Sequence, residues 1–328
     1  MHRGVVAVML WCLAARSARA DDGYLTRLAG TVRARLGDAA AAHVTRLVLP
    51  VPVKVVWSPQ RLGSIDVGAP VAAVAAADLD GDGKAELYLV TSREVIAVAI
   101  AGQVRALDRV AFGGEPAVPA SRDAVGTATV DGNAVIASVS AWAGELRVEW
   151  RQGKLTGRHG ADRFLVCGER WQLAPGRNYF RRARATLFGG RCRGDLIDAT
   201  GAPLHIRSEL STAGVLEVAV ERCPAGAAGC QPWATYQIKD VGAAFEIADN
   251  DRDGTPEVIA SHAVEPGDAD AIRVIPLGSP GGKAAHKKSF NGGVAGIAVA
   301  DIDGNGVPHV IALVRLAGAT RVDVWRLN

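Results

Sequence analysis

The chain has 328 residues, is 49% hydrophobic and 22% charged, and carries a formal net charge of +3 from 37 basic and 34 acidic residues. That composition excludes a disordered or fibrous chain and leaves room for one large domain or two small ones. The positive excess invites a nucleic-acid partner until its location is traced.

Residues 1–20 hold that excess. His2 and Arg3 precede an apolar run from Val5 to Ala15, and Ala18-Arg19-Ala20 follows. A basic head, a short apolar centre and an A-x-A exit make the pattern of a secretory signal peptide, too short to span a bilayer. Cleavage after Ala20 takes Arg3, Arg16 and Arg19 from the 37 basic residues and leaves 34 against 34 acidic ones. A neutral mature chain removes the support for nucleic acid as a partner. No other stretch reaches 18 uninterrupted apolar residues, so no transmembrane segment is expected in the mature chain. The expected location is secreted or periplasmic.

Residues 21–50 read as a helical leader. Asp21 or Asp22 caps a helix with Tyr24, Leu25, Leu28, Val32 and Leu36 on one face, ending near Gly37. Residues 51–328 form the main domain.

Three segments of that domain share one pattern. Asp78-Leu79-Asp80-Gly81-Asp82-Gly83-Lys84-Ala85-Glu86 is the first, Asp249-Asn250-Asp251-Arg252-Asp253-Gly254-Thr255-Pro256-Glu257 the second, and Asp301-Ile302-Asp303-Gly304-Asn305-Gly306-Val307-Pro308-His309 the third. Each follows an alternating apolar stretch and precedes a short apolar run, which reads as strand, loop, strand. Oxygen ligands at loop positions 1, 3 and 5 converge if the chain curls sharply, and Gly at position 6 permits the curl. Ca2+ is the expected occupant, because a hard cation takes several oxygen ligands. An EF-hand is excluded: position 12 is Leu89, Ala260 or Ala312, and the flanks are strands.

The metal ligands expected are therefore Asp78, Asp80, Asp82 and Glu86, then Asp249, Asp251, Asp253 and Glu257, then Asp301, Asp303 and Asn305. The third set is the weak one, since His309 replaces the final acid and Ca2+ prefers oxygen. It is expected to bind weakly or stay empty.

These runs resemble the FG-GAP (VCBS-type) repeats of integrin α-subunits and of many exported bacterial proteins. The resemblance implies an all-β fold, a β-propeller of four-stranded blades, with Ca2+ held between the first two strands of some of them.

Spacing agrees. Asp249 and Asp301 are 52 residues apart, and Asp78 and Asp249 are 171 apart, three steps of 57. Degenerate copies are expected at Thr129–Ala137 and, as a poor match, at Gly189–Ile197. About five blades fit on this pitch, or six or seven if the degenerate ones are compact. Val53 to Trp57, or residues up to Val67, are expected to complete the last blade beside Val322 to Leu327, closing the ring and removing a free edge.

Four cysteines remain in the mature chain: Cys167, Cys192, Cys223 and Cys230. In an exported chain an even count favours two disulfides. Cys223 with Cys230 and Cys167 with Cys192 is the expected pairing, with the other two connectivities open.

Between them, Arg170, Arg177, Arg181, Arg182, Arg184, Arg191 and Arg193 accompany Trp171, Tyr179 and Phe180. Such interleaving suits an acidic glycan, or else makes an ordinary solvated strand face. H-E-x-x-H, G-x-S-x-G and phosphate-loop motifs are absent. The sequence thus points to a calcium-binding, non-enzymatic module for a protein or an acidic glycan. The alternatives are a polysaccharide lyase or hydrolase using the central channel, and a structural surface component.

Overall fold

The computed structural model describes residues 52–113, 126–139, 145–160, 164–166, 169–171, 191–197, 203–211, 214–222, 230–262, 269–315 and 320–328. The signal peptide and helical leader expected over residues 1–50 lie outside them.

The described chain is built from strands, with a single 3-10 turn at Pro280–Gly282. After β1 (Gln60–Asp66), the first blade is β2 (Val71–Ala77), β3 (Glu86–Thr91), β4 (Glu94–Ala99) and β5 (Arg105–Ala111). The second is β6 (Gly126–Asp131), β7 (Ala134–Val139), β8 (Glu145–Arg151) and β9 (Lys154–His159). A two-stranded ribbon follows, β10 (Phe164–Val166) and β11 (Glu169–Trp171). The third blade is β12 (Arg191–Ile197), β13 (Pro203–Leu210), β14 (Leu216–Arg222) and β15 (Gln231–Ile238). The fourth is β16 (Val241–Ala248), β17 (Glu257–His262), β18 (Asp270–Pro276) and β19 (His286–Phe290). The fifth takes β20 (Val294–Ala300), β21 (His309–Arg315) and β22 (Arg321–Arg326) from the end of the chain and β1 from its beginning.

Each blade is an antiparallel sheet in sequence order, so the fold is an all-β propeller of five four-stranded blades. β1 pairs with β22 from Gln60↔Arg326 to Asp66↔Arg321, which closes the ring with the more C-terminal of the two expected segments. Val53 to Trp57 does not join the sheet. It runs as a strap from the fourth blade to the fifth: Val53 N–H donates to Asp251 O at 2.7 Å, and Ser58 N–H to Leu327 O at 3.0 Å. Trp57 stacks on His286 of β19, ring centroids 4.9 Å apart.

The cores lie between blades. One apolar cluster joins the fifth blade to the first through Ile65, Leu89, Ile311 and Val324, and another joins the first to the second through Tyr88, Val90, Val135 and Val148. Two more join the third to the fourth and the fourth to the fifth. Second strands are covered on both faces, which explains their unbroken apolar runs: all six residues of β3 and of β7 are buried.

First strands contact one another across blades (β2 with β6 and β20, β16 with β20) and so stand nearest the axis. Small residues permit this. A Cβ on Gly126 would lie 2.9 Å from Ala72 Cβ, and one on Gly296 would lie 2.7 Å from Val74 Cγ1. Gly296→Val is expected to lower stability by about 1–3 kcal/mol through overpacking; an unshifted urea midpoint would count against this contact.

The degenerate copy near residue 131 is the hairpin turn between β6 and β7, as spacing predicts. The one expected at 189–197 is misplaced. Arg191–Ile197 is itself the first strand of its blade, so the corresponding loop falls after Ile197, outside the described residues. Of the basic cluster, Arg170, Trp171, Arg191 and Arg193 fall in β11 and β12, and the rest lies outside the described residues, as do Cys167 and Cys223.

Candidate metal loops

Each acid loop connects the first strand of a blade to the second: residues 78–85 join β2 to β3, 249–256 join β16 to β17, and 301–308 join β20 to β21. The three loops fold alike because the residue at position 1 caps the curl. Asp78, Asp249 and Asp301 each accept the N–H of the glycine at position 6 on Oδ2, at 2.9, 2.9 and 2.7 Å from Gly83, Gly254 and Gly306. Those glycines have φ of 89°, 85° and 83°, the left-handed conformation that the sequence pattern requires.

Position 4 is left-handed too, at Gly81, Arg252 and Gly304. The sequence hides this requirement in the second loop, where Arg252 tolerates a φ of 57°. A non-glycine residue there costs about 1–2 kcal/mol.

In the first two loops the carboxylates converge. One oxygen from each of Asp78, Asp80, Asp82 and Glu86 lies within 4.8 Å of the others, and the same holds for Asp249, Asp251, Asp253 and Glu257. The final acid opens the second strand and is buried in both, Glu86 and Glu257 each 4% exposed. It turns back to an amide at position 2: Glu257 accepts Asn250 N–H at 2.9 Å, and Glu86 accepts Leu79 N–H at 3.4 Å. Glu86 also accepts the Tyr88 hydroxyl at 3.2 Å, and that hydroxyl accepts Trp150 Nε1–H from the second blade at 2.8 Å.

Without a cation, this crowding resists ionisation. Burial, then the nearby Asp80, raises the Glu86 carboxyl to about 7. Burial, then Asp251, Asp249 and Asp253, raises Glu257 to about 8. Asp249 rises to about 6, chiefly through burial and with Asp253 and Asp251 adding repulsion. Its Oδ1 is buried and has no hydrogen-bond partner. Clustered hard oxygen donors with one oxygen left bare fit a divalent cation, so the two acidic clusters could hold a metal ion.

The third loop does not converge in this way. Asp301 uses its oxygens on the amides of Asp303, Asn305 and Gly306, and Asn305 Oδ1 accepts Val307 N–H at 2.8 Å. Asp303 faces Arg326 Nη1 at 3.3 Å.

All three loops lie on consecutive blades: the fourth, the fifth and the first. The first and third loops touch, with Ala85 N–H donating to Asp301 O at 2.9 Å. His262 ends β17, at the opposite end of the strand from the acid loop that precedes it.

Fold and site together define a five-bladed β-propeller with two carboxylate loops able to take a cation. No protein-family model matches the chain, and neither does any curated protein. Among solved structures, the PQQ-bound aldose sugar dehydrogenase of Streptomyces coelicolor is similar over 84% of this chain and 99% of its own, at 14% identity and a TM-score of 0.45. A putative oxidoreductase (glucose dehydrogenase) of Thermus thermophilus is similar over 83% and 100%, at 12% identity and a TM-score of 0.38. These likenesses concern the fold alone.

Proposed function

We propose that this protein is an exported β-propeller of the FG-GAP/VCBS type, held together by Ca2+ in its first two acid loops and acting as a binding or scaffolding module. The observation that carries the reading is the convergence of four carboxylates at the same place in two separate blades, each with its final acid buried. Ca2+ would be held by Asp78, Asp80, Asp82 and Glu86 in one loop and by Asp249, Asp251, Asp253 and Glu257 in the other. Bound there, the ion supplies positive charge that offsets the repulsion and burial cost of the carboxylates.

Export is supported by the leader sequence and by the bonded state of the Cys230 sulfur. Cys223, seven residues away, is the proposed partner, with Cys167 and Cys192 forming the second pair. Of the first strands, β2 and β20 contribute only Val, Ala, Gly and Ile, whereas β16 carries Glu246, β6 carries Asp131, and β12 carries Arg191, Arg193 and Asp195. Among the described residues no helix is long and apolar enough to cross a membrane. The partner proposed is a protein or an acidic glycan, the glycan favoured by the arginines and aromatics of residues 170–193.

Titration calorimetry of the mature chain with Ca2+ is expected to give two sites. Asp251→Asn is expected to remove one and leave the other. A flat titration at millimolar Ca2+ would sink the metal assignment, and unchanged retention of Arg181→Ala/Arg182→Ala on a heparin column would sink the glycan.

A further inference from the structure

Several arginines of the propeller are matched by an acid. Arg61 pairs with Asp323, Arg109 with Glu94, Arg147 with Asp131 and Glu149, and Arg326 with Asp303. The outer corner of the fourth blade differs. From Ala271 to Ala300 the sequence contains no Asp or Glu, yet it carries Arg273, Lys283, Lys287 and Lys288.

Strand register gathers three of these with a fourth cation. Arg273 of β18 stands directly opposite Lys287 of β19, so both point to the same side of the sheet. That side faces the third blade, because Ile275, two places along β18, packs in the core between the third and fourth blades. Across the junction, Arg273 Nη2 donates to the main-chain oxygens of Lys239 and Asp240, at 3.0 and 2.6 Å. Those two residues form the turn between β15 and β16. Lys283 lies just before β19, where its neighbour Ala284 packs against the same core. Lys239, Lys283 and Lys287 are exposed. Among the described residues no carboxylate pairs with any of the four cations. Asp240 is also here, but it gives Arg273 its main-chain oxygen rather than its carboxylate.

Like charges directly opposite on adjacent strands destabilise a sheet. β19 is the edge of its sheet, and an exposed lysine guards an edge against pairing. That role needs no cation on the inner strand, where Arg273 sits, and none from the next blade. Four unmatched positive charges from a turn, two strands and the segment between them make a surface complementary to a polyanion.

We propose that Lys239, Arg273, Lys283 and Lys287 form a docking surface for an acidic polysaccharide, whose carboxylate or sulfate groups take the place of the missing acids. Binding relieves the repulsion between Arg273 and Lys287. A nucleic acid offers similar charge, but the mature chain has 34 basic and 34 acidic residues and lacks the overall positive field of a nucleic-acid binder. The choice of a glycan also rests on the export proposed above. The surface itself is separate from the acid loops and from the arginines of residues 170–193.

Fluorescence anisotropy of a labelled heparin oligosaccharide with the mature chain tests this. Binding is expected to weaken steeply with added salt. Lys283→Ser/Lys287→Ser is expected to weaken it by about tenfold or more. Both side chains are exposed, so this variant is expected to keep the wild-type Tm. Lys154→Ser, at an exposed lysine on the edge strand β9 of the second blade, is expected to bind like the wild type. Absence of binding by the wild type, or equal binding by the double variant, would overturn the proposal. Tighter binding of a labelled DNA duplex at the same salt would overturn the choice of glycan. Failure of the calcium titration would leave this result untouched, and failure here would leave the calcium loops untouched.

Discussion

Excess EDTA is expected to lower the Tm of the mature protein by about 10 °C or more, and readdition of Ca2+ to restore it. A ligand at a hundred times its Kd stabilises a fold by about 2.7 kcal/mol per site, so two sites contribute about 5 kcal/mol. In a domain of this size each kcal/mol moves Tm by about 2–4 °C. The effect should be large here because each proposed cation would tie a first strand to a second. Those second strands, β3 and β17, are the most buried parts of their blades. Differential scanning fluorimetry with and without chelator checks it, and a Tm indifferent to EDTA would remove calcium from the account.

The metal-free protein is also expected to lose stability as pH rises from about 5.5 to 8, the reverse of ordinary carboxylate behaviour. Glu86, Glu257 and Asp249 are raised to about 7, 8 and 6 in the fold. Unfolded, they titrate near their ordinary values of about 4. Below that pH both states hold these protons, and the groups cost nothing. Through the window above it, the folded chain keeps protons that the unfolded chain has released, so each step upward favours unfolding. Above about 8 the penalty is complete, on the order of several kcal/mol for the three groups together. Saturating Ca2+ is expected to abolish the slope by holding the carboxylates ionised. Binding near pH 7 should therefore release protons, visible as a dependence of the calorimetric heat on the buffer. Urea midpoints in EDTA that rise with pH over this window would contradict the mechanism.

Much of the molecule is legible in the sequence because its repeats are local. A strand, a curled acidic loop and a second strand occupy about twenty consecutive residues, and the glycine at position 6 marks the curl. Spacing between copies then yields five blades and the turn at Asp131. What escapes depends on contacts between residues distant in the chain. Trp150 meets Tyr88 across 62 positions, and no local pattern announces that their hydrogen bonds steady Glu86. Val53 to Trp57 alternates like a strand, yet its partners are Asp251, Leu327 and His286, so it becomes a strap. Arg252 conceals a left-handed position because one loop accepts strain that the other two avoid with glycine. In the sequence His309 is only a missing acid; its contact with Asn328 exists only because the fold brings the two together.

The loops are unevenly distributed around the ring. They occupy the fourth, fifth and first blades, and the strap and the β1–β22 pairing lie in the same arc. The blades are therefore not mechanically equivalent. The first loop leans on the third through Ala85 and Asp301, and the second is tied through Val53 to the strap that meets Leu327. The two acidic clusters and the strap gather where the two ends of the chain meet, like a clasp on a necklace. A ring fastened this way is expected to open first at that joint, and more readily once the proposed cations are withdrawn.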